Sequence, residues 1–222
     1  MLIHWFGKCS FLLQDSLGRR ILTDPFDLSP TERLLNLNPQ IITLSHEHIE
    51  VNSKALENNK CSIINKAGDY NLDFSSIEGY SSYQDKVLGV KRGFNIIYKI
   101  IFDNLNICHL GRLGHMLTDE TINSLGTIDI LFVPVGGQFT LNGLEAAKLV
   151  KKVNPKVVIP MYYKTSNSSL YLDSPKDFLT SMKYISNLKE TLLDTNNIDF
   201  NIHSKTILMK KSSLNCIEKK TV

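Results

Sequence analysis

Ile41-Ile42-Thr43-Leu44-Ser45-His46-Glu47-His48-Ile49-Glu50 decides the fold of this chain. Its first four residues form a short, nearly continuous apolar run, the pattern of a strand covered on both faces. The run leads directly into two imidazoles and a carboxylate at alternating positions, His46, His48 and Glu50. Alternation throws all three to one side, just past a strand end, where rigid elements aim loop side chains at a common point. Donors gathered in this way are a start for a zinc site, which needs three or four of them. Taken alone, the spacing suits a metal centre and a metal-free surface loop with two histidines equally well.

Upstream, Leu2–Phe6, Ser10–Gln14 and Arg20–Thr23 are short β-type runs, and Asp15-Ser16-Leu17-Gly18 reads as the hairpin turn between the last two. Downstream, further strands are predicted at Ser62–Asn65, Ser76–Ser81, Asn95–Phe102 and Asn106–His109. The rhythm then changes. Thr118–Leu125 suits a helix with Thr118 as its N-cap. Ile128–Val133 and Lys156–Pro160 read as buried strands on either side of an amphipathic helix over Asn142–Val153. Asp173-Ser174-Pro175 opens a further helix through Lys183, proline being suited to a first helical turn. Strands leading and helices interleaved later point to sheets covered by helices.

The 222 residues carry a good apolar fraction with no compositional break, enough to bury a substantial core, so a disordered chain is excluded and one domain over 1–222 is expected. Twenty-five Lys and Arg against 22 Asp and Glu leave little excess charge, and no basic patch points to nucleic acid as a partner. Met1-Leu2-Ile3-His4-Trp5 lacks a basic region followed by a long apolar run, and no stretch approaches the roughly eighteen apolar residues of a membrane span. A cytoplasmic protein without a membrane partner is therefore expected. Cys9, Cys61, Cys108 and Cys216 are far apart, with no C-x-x-C pair, and read as idle or buried thiols.

Several segments recur in a telling order. They are Ile21-Leu22-Thr23-Asp24-Pro25, Thr43–His48, Lys91-Arg92-Gly93-Phe94-Asn95, His109-Leu110-Gly111-Arg112-Leu113-Gly114-His115, Ile128–Gly137 and Ile159-Pro160-Met161-Tyr162-Tyr163-Lys164-Thr165. Together, over roughly residues 1 to 165, they resemble the metallo-β-lactamase superfamily, in the branch of Zn-dependent hydrolases that includes ascorbate-6-phosphate lactonase-like proteins. The resemblance implies an α/β (α+β) fold, a four-layer αβ/βα sandwich of two mixed sheets covered by helices, with the active site at one edge between the sheets. It also implies that Asp24 holds the loops of that site by hydrogen bonds.

The same comparison exposes departures. The family motif H-x-H-x-D-H reads here His46, His48, Glu50, Val51. A further family histidine before the R-G-x-N segment corresponds to Gln84, the metal-bridging aspartate of G-D-x-G to Arg112, and the histidine of P-M-H-Y to Tyr162. His46 and His48 survive, Glu50 is a conservative change, and Val51, Gln84, Arg112 and Tyr162 do not supply the usual ligands. A guanidinium at the bridging position would put a permanent positive charge where two cations should sit. Without the ion nothing lowers the pKa of a bound water toward neutrality.

Two readings are favoured over a third, a nucleic-acid-processing member, for which the chain lacks a recognisable basic patch or an added RNA-binding segment. In one the chain is a pseudoenzyme, or an impaired enzyme, that binds a small molecule or a protein partner through the old cleft, with no cofactor. In the other it hydrolyses a phosphoester or lactone with an atypical single zinc on His46 and His48, joined by Glu50 or His115. A structural hydrogen-bonding role for His115 stays open beside the ligand role, and a symmetric homodimer is compatible with either reading. His4 and His203 are isolated and read as surface or packing residues. Gly136-Gly137 reads as a tight turn, since no phosphate-loop pattern accompanies it. Tyr162-Tyr163 suits a ligand contact or packing. Ser45 and Cys108 each precede a histidine, but neighbours on a strand point to opposite faces, which argues against a nucleophile pair. The pocket is expected to gather Asp24, His46, His48, Glu50, Gln84, Arg112 and Tyr162, with Arg112 pairing Glu50 as the cation of the site.

Overall fold

The computed structural model describes residues 1–25, 37–47, 61–166 and 171–212. Two mixed sheets carry the architecture. In the first, β1 (Leu2–Gly7), β2 (Ser10–Gln14) and β3 (Arg20–Thr23) form an antiparallel meander. β4 (Ile41–Thr43) and β5 (Ser62–Ile64) add to it in parallel, and β13 (Leu192–Asp194) closes the other side against β1. The expected turn between β2 and β3 forms because the Asp15 side chain accepts the backbone N–H groups of Leu17 and Arg19, and Gly18 takes the positive φ of 78°.

The second sheet starts antiparallel, through β6 (Gly68–Leu72), β7 (Ser75–Tyr83), β8 (Phe94–Phe102) and β9 (Leu105–His109). It then turns parallel through β10 (Ile130–Pro134), β11 (Val157–Met161), β14 (Lys205–Leu208) and β12 (Ile185–Asn187). Parallel neighbours need crossovers. Helix α1 (Asp119–Leu125) joins β9 to β10, α2 (Gly143–Val153) joins β10 to β11, and α3 (Lys176–Thr180) follows β11.

Local sequence explains these helices. Thr118 caps α1 by accepting the Thr121 N–H at 3.2 Å. Asn142 and Glu145 form a reciprocal capping box on α2, whose left-handed Asn154 ends it after Lys151 and Lys152. The helix predicted through Lys183 stops instead at Thr180. Thr180 and Ser181 both turn their hydroxyls onto the Asp177 carbonyl, and the chain tightens through Ser181 N–H to Phe178 and Met182 N–H to Leu179. Four strands were not expected from the sequence: β6, β12, β13 and β14. Each is short, and β6 spells Gly-Asp-Tyr-Asn-Leu, in which Gly, Asp and Asn disfavour a strand and pairing with β7 overrides them.

This is the α/β sandwich that the resemblance implied. The sheets meet through aromatic side chains: Phe11 of β2 stands 4.3 Å from Phe132 of β10, centroid to centroid, and Trp5 of β1 5.3 Å from Tyr163. Tyr98 of β8 spans the seam at the far side. Fully buried, its hydroxyl lies 2.9 Å from the Leu44 carbonyl and 3.0 Å from that of Ile64. Burial, aided by the negative charge of Asp24, pushes its phenol far above the ordinary range, so the donor proton stays in place at any working pH. Among the described residues, no helix is long and apolar enough to cross a membrane.

Tyr98→Phe removes one hydroxyl and leaves the Leu44 carbonyl buried without that donor. Chemical denaturation should show a loss of about 1–3 kcal/mol with an unchanged denaturant slope.

Candidate functional site

The loops after β3, β4, β9 and β11 converge at one edge of the sandwich. Asp24 follows β3 with a positive φ of 40° and is wholly buried. Its two carboxyl oxygens accept the backbone N–H and the hydroxyl of Ser45, at 2.7 and 2.6 Å. Asp24 N–H in turn donates to the Thr43 carbonyl at 2.9 Å. The ends of two parallel strands are thereby fastened to each other.

The Ser45 hydroxyl lies 2.9 Å from His46 Nδ1. Because that hydroxyl gives its proton to Asp24, its lone pair receives Nδ1–H, and the imidazole is set in the tautomer that carries its lone pair on Nε2. A hydroxyl and a carboxyl behind an imidazole fix both ring orientation and tautomer, the outer-shell arrangement typical of metal-binding histidines. The contact corrects the reading of Ser45 and His46 as residues on opposite faces. Strand β4 ends at Thr43, so the alternation rule no longer governs the next residues. The proton path runs from imidazole to serine to carboxyl, the reverse of a serine nucleophile activated by its histidine.

Asn95, at the start of β8, joins this edge to the Arg112 loop. Its side-chain oxygen accepts Arg112 N–H at 2.8 Å, and its amide donates to the Leu110 carbonyl at 3.0 Å and to Ser82 Oγ at 2.8 Å. Between them sits Gly111, at φ 58°, where an added Cβ would fall 2.5 Å from Asn95 Oδ1 and 2.6 Å from Ser45 Oγ. The first residues of the 109–115 segment are thus pressed directly against the Asp24–Ser45 pair. Arg112 is half-buried, with its guanidinium carbon 5.2 Å from the centre of the Tyr162 ring. Tyr162 is buried and holds φ at 51°, a strained conformation for an aromatic residue immediately after a strand.

Asp24, His46, Arg112 and Tyr162 therefore share this edge. His48 and Glu50 lie outside the described residues, as does any pairing of Glu50 with Arg112. Gln84 comes beside Gly114 through its backbone, but its side-chain amide turns to the Phe94 carbonyl at 2.9 Å. It lines a different groove of about 500 Å³, whose walls do not include Asp24, His46, Arg112 or Tyr162. His115 is held on both nitrogens by backbone, Nδ1 by the Met116 carbonyl at 2.9 Å and Nε2 by the Tyr83 N–H at 3.3 Å. The Nε2 lone pair that a metal would need is thus engaged. The buried His109 holds the Cys9 carbonyl at 2.9 Å, and burial pushes the thiol of Cys108 up to about 12, keeping it protonated and inert.

Ser45, Asn95 and Gly111 had no assigned role in the sequence reading. Asn95 was visible there as the last residue of the Arg92-Gly93-Phe94-Asn95 segment, but only the folded chain reveals that it clamps the loop opposite. As a donor set for two metals the described residues do not fit. No three of their His, Cys, Asp or Glu side chains converge on one point, and Arg112 and Tyr162 stand at this edge.

Comparison with known proteins agrees with the architecture. Residues 2–162 match the Beta-lactamase superfamily domain. A metal-dependent hydrolase of Pyrobaculum islandicum is 29% identical over 220 residues, covering 87% of this chain and 96% of the relative. A Thermotoga maritima structure assigned as a Zn-dependent hydrolase of the metallo-β-lactamase superfamily is 31% identical and superposes with a TM-score of 0.75, covering 94% of this chain and 97% of the other. A metallo hydrolase of Ignicoccus hospitalis shares the fold at 17% identity and a TM-score of 0.64, with 96% of each chain covered. From sequence, sheet topology and site edge together, this chain belongs to the metallo-β-lactamase superfamily, within its metal-dependent hydrolase families.

Proposed function

We propose that this chain is a non-hydrolytic member of its family, which uses the inherited cleft to bind a small anionic ligand. One observation carries the reading: the Arg112 guanidinium, set against the Tyr162 ring, stands where the family resemblance calls for a bridging carboxylate and a histidine. A metal pair gives such a cleft two properties, positive charge and a hydroxide at neutral pH. Arginine retains the first and cannot supply the second, because it stays protonated and offers donors only. Its planar fork suits a carboxylate or phosphate gripped through two hydrogen bonds.

The chain's own residues support the binding half of this reading. Asn95 fixes the backbone of Arg112, and Gly111 lets that backbone approach Ser45 closely. Both devices preorganise the cation and lower the ordering cost of binding. A second reading has its own support. The relay through Ser45 to Asp24 presents His46 Nε2 as a lone pair, which suits a single zinc held with His48 and Glu50 of the same sequence motif. The named relatives are metal-dependent hydrolases, and a phosphoester or lactone would be the substrate class.

Zinc separates the two readings. Protein purified without added metal should melt at the same temperature with zinc or with a chelator. Assays with generic phosphodiester, lactone and β-lactam substrates should show no turnover that a chelator abolishes. Chelator-sensitive turnover would overturn the non-hydrolytic reading in favour of the single-metal one.

Arg112→Asp tests the same point from the other side. It restores a carboxylate beside His46, so stability should become zinc-dependent. At zinc about a hundredfold above its dissociation constant, the gain of about 2.7 kcal/mol corresponds to a rise of roughly 5–10 °C in Tm. An Arg112→Asp protein that is indifferent to zinc would show that the remaining groups do not converge as donors.

A further inference from the structure

The loop from 84 to 93, between β7 and β8, together with Phe94 that opens β8, combines three features that neither the fold nor the cleft requires. The first is a rigid frame. The Asp85 side chain accepts the backbone N–H groups of Val87, Gly89, Lys91 and Arg92 at 2.8, 2.9, 2.9 and 2.7 Å. Val90 N–H donates to the Val87 carbonyl and Gly93 N–H to that of Gly89, at 3.2 and 2.8 Å. The loop thus satisfies these backbone donors internally.

The second feature is what the frame displays. Leu88, Val90 and Phe94 are 73%, 83% and 69% exposed, and Val87 is partly so. Leu88 also holds φ at 57°, a conformation that suits glycine or asparagine and disfavours leucine. Exposure and strain on the same apolar residue point to a use outside the folded chain, since packing inside it rewards neither.

The third feature is charge. Lys86, Lys91 and Arg92 surround the apolar residues and are all exposed. Of the acidic groups nearby, Asp85 points into its own loop and Asp173 lines the groove beneath, while Glu145 pairs with Lys86 and leaves Lys91 and Arg92 as the cations of the loop. Arg92 lies over the Phe139 ring, 4.1 Å from its centre, on the wall of that same groove.

We propose that this loop docks the protein on an anionic lipid bilayer, with Leu88, Val90 and Phe94 at the headgroup boundary and Lys91 and Arg92 over the anionic headgroups. A projecting apolar tip within a cationic collar matches such a surface in both hydrophobicity and charge. Internal satisfaction of the Val87, Gly89, Val90, Lys91 and Arg92 N–H groups matters equally, because a backbone donor carried into an apolar phase without a partner opposes insertion. A second copy of this chain fits less well, since a symmetric contact through the loop would bring each cation of the collar near its own copy. The expectation of no membrane partner rested on the lack of a spanning segment, whereas this contact requires none. It is also independent of what the cleft binds.

Co-flotation of the full chain tests the proposal, using vesicles of phosphatidylcholine alone and vesicles containing about a third phosphatidylglycerol. The wild type should float with the anionic vesicles at low salt, be released as salt rises, and bind phosphatidylcholine alone far more weakly. Lys91→Gln with Arg92→Gln should weaken low-salt binding about thirtyfold. Leu88→Asn with Val90→Ser should weaken it roughly tenfold or more. Leu88→Asn alone should leave the melting temperature level or higher, because asparagine tolerates the positive φ, so lost binding cannot be ascribed to unfolding. Absence of wild-type binding at low salt, equal binding to both vesicle types, or variants that bind like the wild type would overturn the proposal. So would a concentration-dependent dimer that Leu88→Asn disrupts, which would assign the loop to a second copy.

Discussion

Everything at the site edge hangs on the Asp24 carboxyl group. It is removed from water, and a buried polar group without partners is costly enough to unbalance a domain of this size. Two hydrogen bonds to Ser45 resolve that, and in doing so they lock the ends of β3 and β4. Ser45 passes the constraint on in three directions. Its hydroxyl sets the His46 ring, its carbonyl accepts Ile96 N–H from the second sheet at 2.6 Å, and its side chain leaves space at Gly111 for glycine only. One carboxyl therefore aligns loops from both sheets around a common point.

That dependence bears on how such a site changes. A scaffold of buried hydrogen bonds is required for folding whether or not an ion is present, so it resists substitution for reasons unrelated to catalysis. Side chains that only face the cleft carry no such burden. In the proposed non-hydrolytic reading, Arg112 and Tyr162 replaced donors of the second kind, while Asp24, Ser45 and Asn95 kept the frame. That reading has the positive charge of the cleft carried by different chemistry, a guanidinium whose backbone is held by Asn95 and which is seated against an aromatic ring.

The frame principle recurs in the loop between β7 and β8. Asp85 does for that loop what Asp24 does for the cleft, gathering backbone donors onto one side chain. The difference is location. Asp24 organises a concave edge between two sheets, whereas Asp85 organises a projecting tip whose apolar side chains meet solvent. A rigid frame is what allows a leucine to be held at positive φ there, since a slack loop would relax to an ordinary conformation.

The sequence by itself determined most of the elements and their kind. Apolar runs such as Ile41–Leu44 and Ile128–Val133, the capping residues Thr118 and Asn142, and the Asp15–Gly18 turn act within a few residues, so local pattern suffices to read them. The ordered segments also named Asp24, His46, Arg112 and Tyr162 as residues of one pocket. Tertiary structure decided the rest. The short strands β6 and β13 exist through their pairing with β7 and β1, and their own composition gives little sign of it. Ser45 reaches His46 because β4 ends early, and Asn95 meets Arg112 because β8 crosses beside the loop after β9. Gln84 and His115 turn to Phe94 and to Met116 and Tyr83, a choice fixed by backbone donors and acceptors that no motif displays. The division has a physical cause: propensity and periodicity are summed along the chain, whereas the direction of a site side chain depends on hydrogen bonds between strands far apart in sequence.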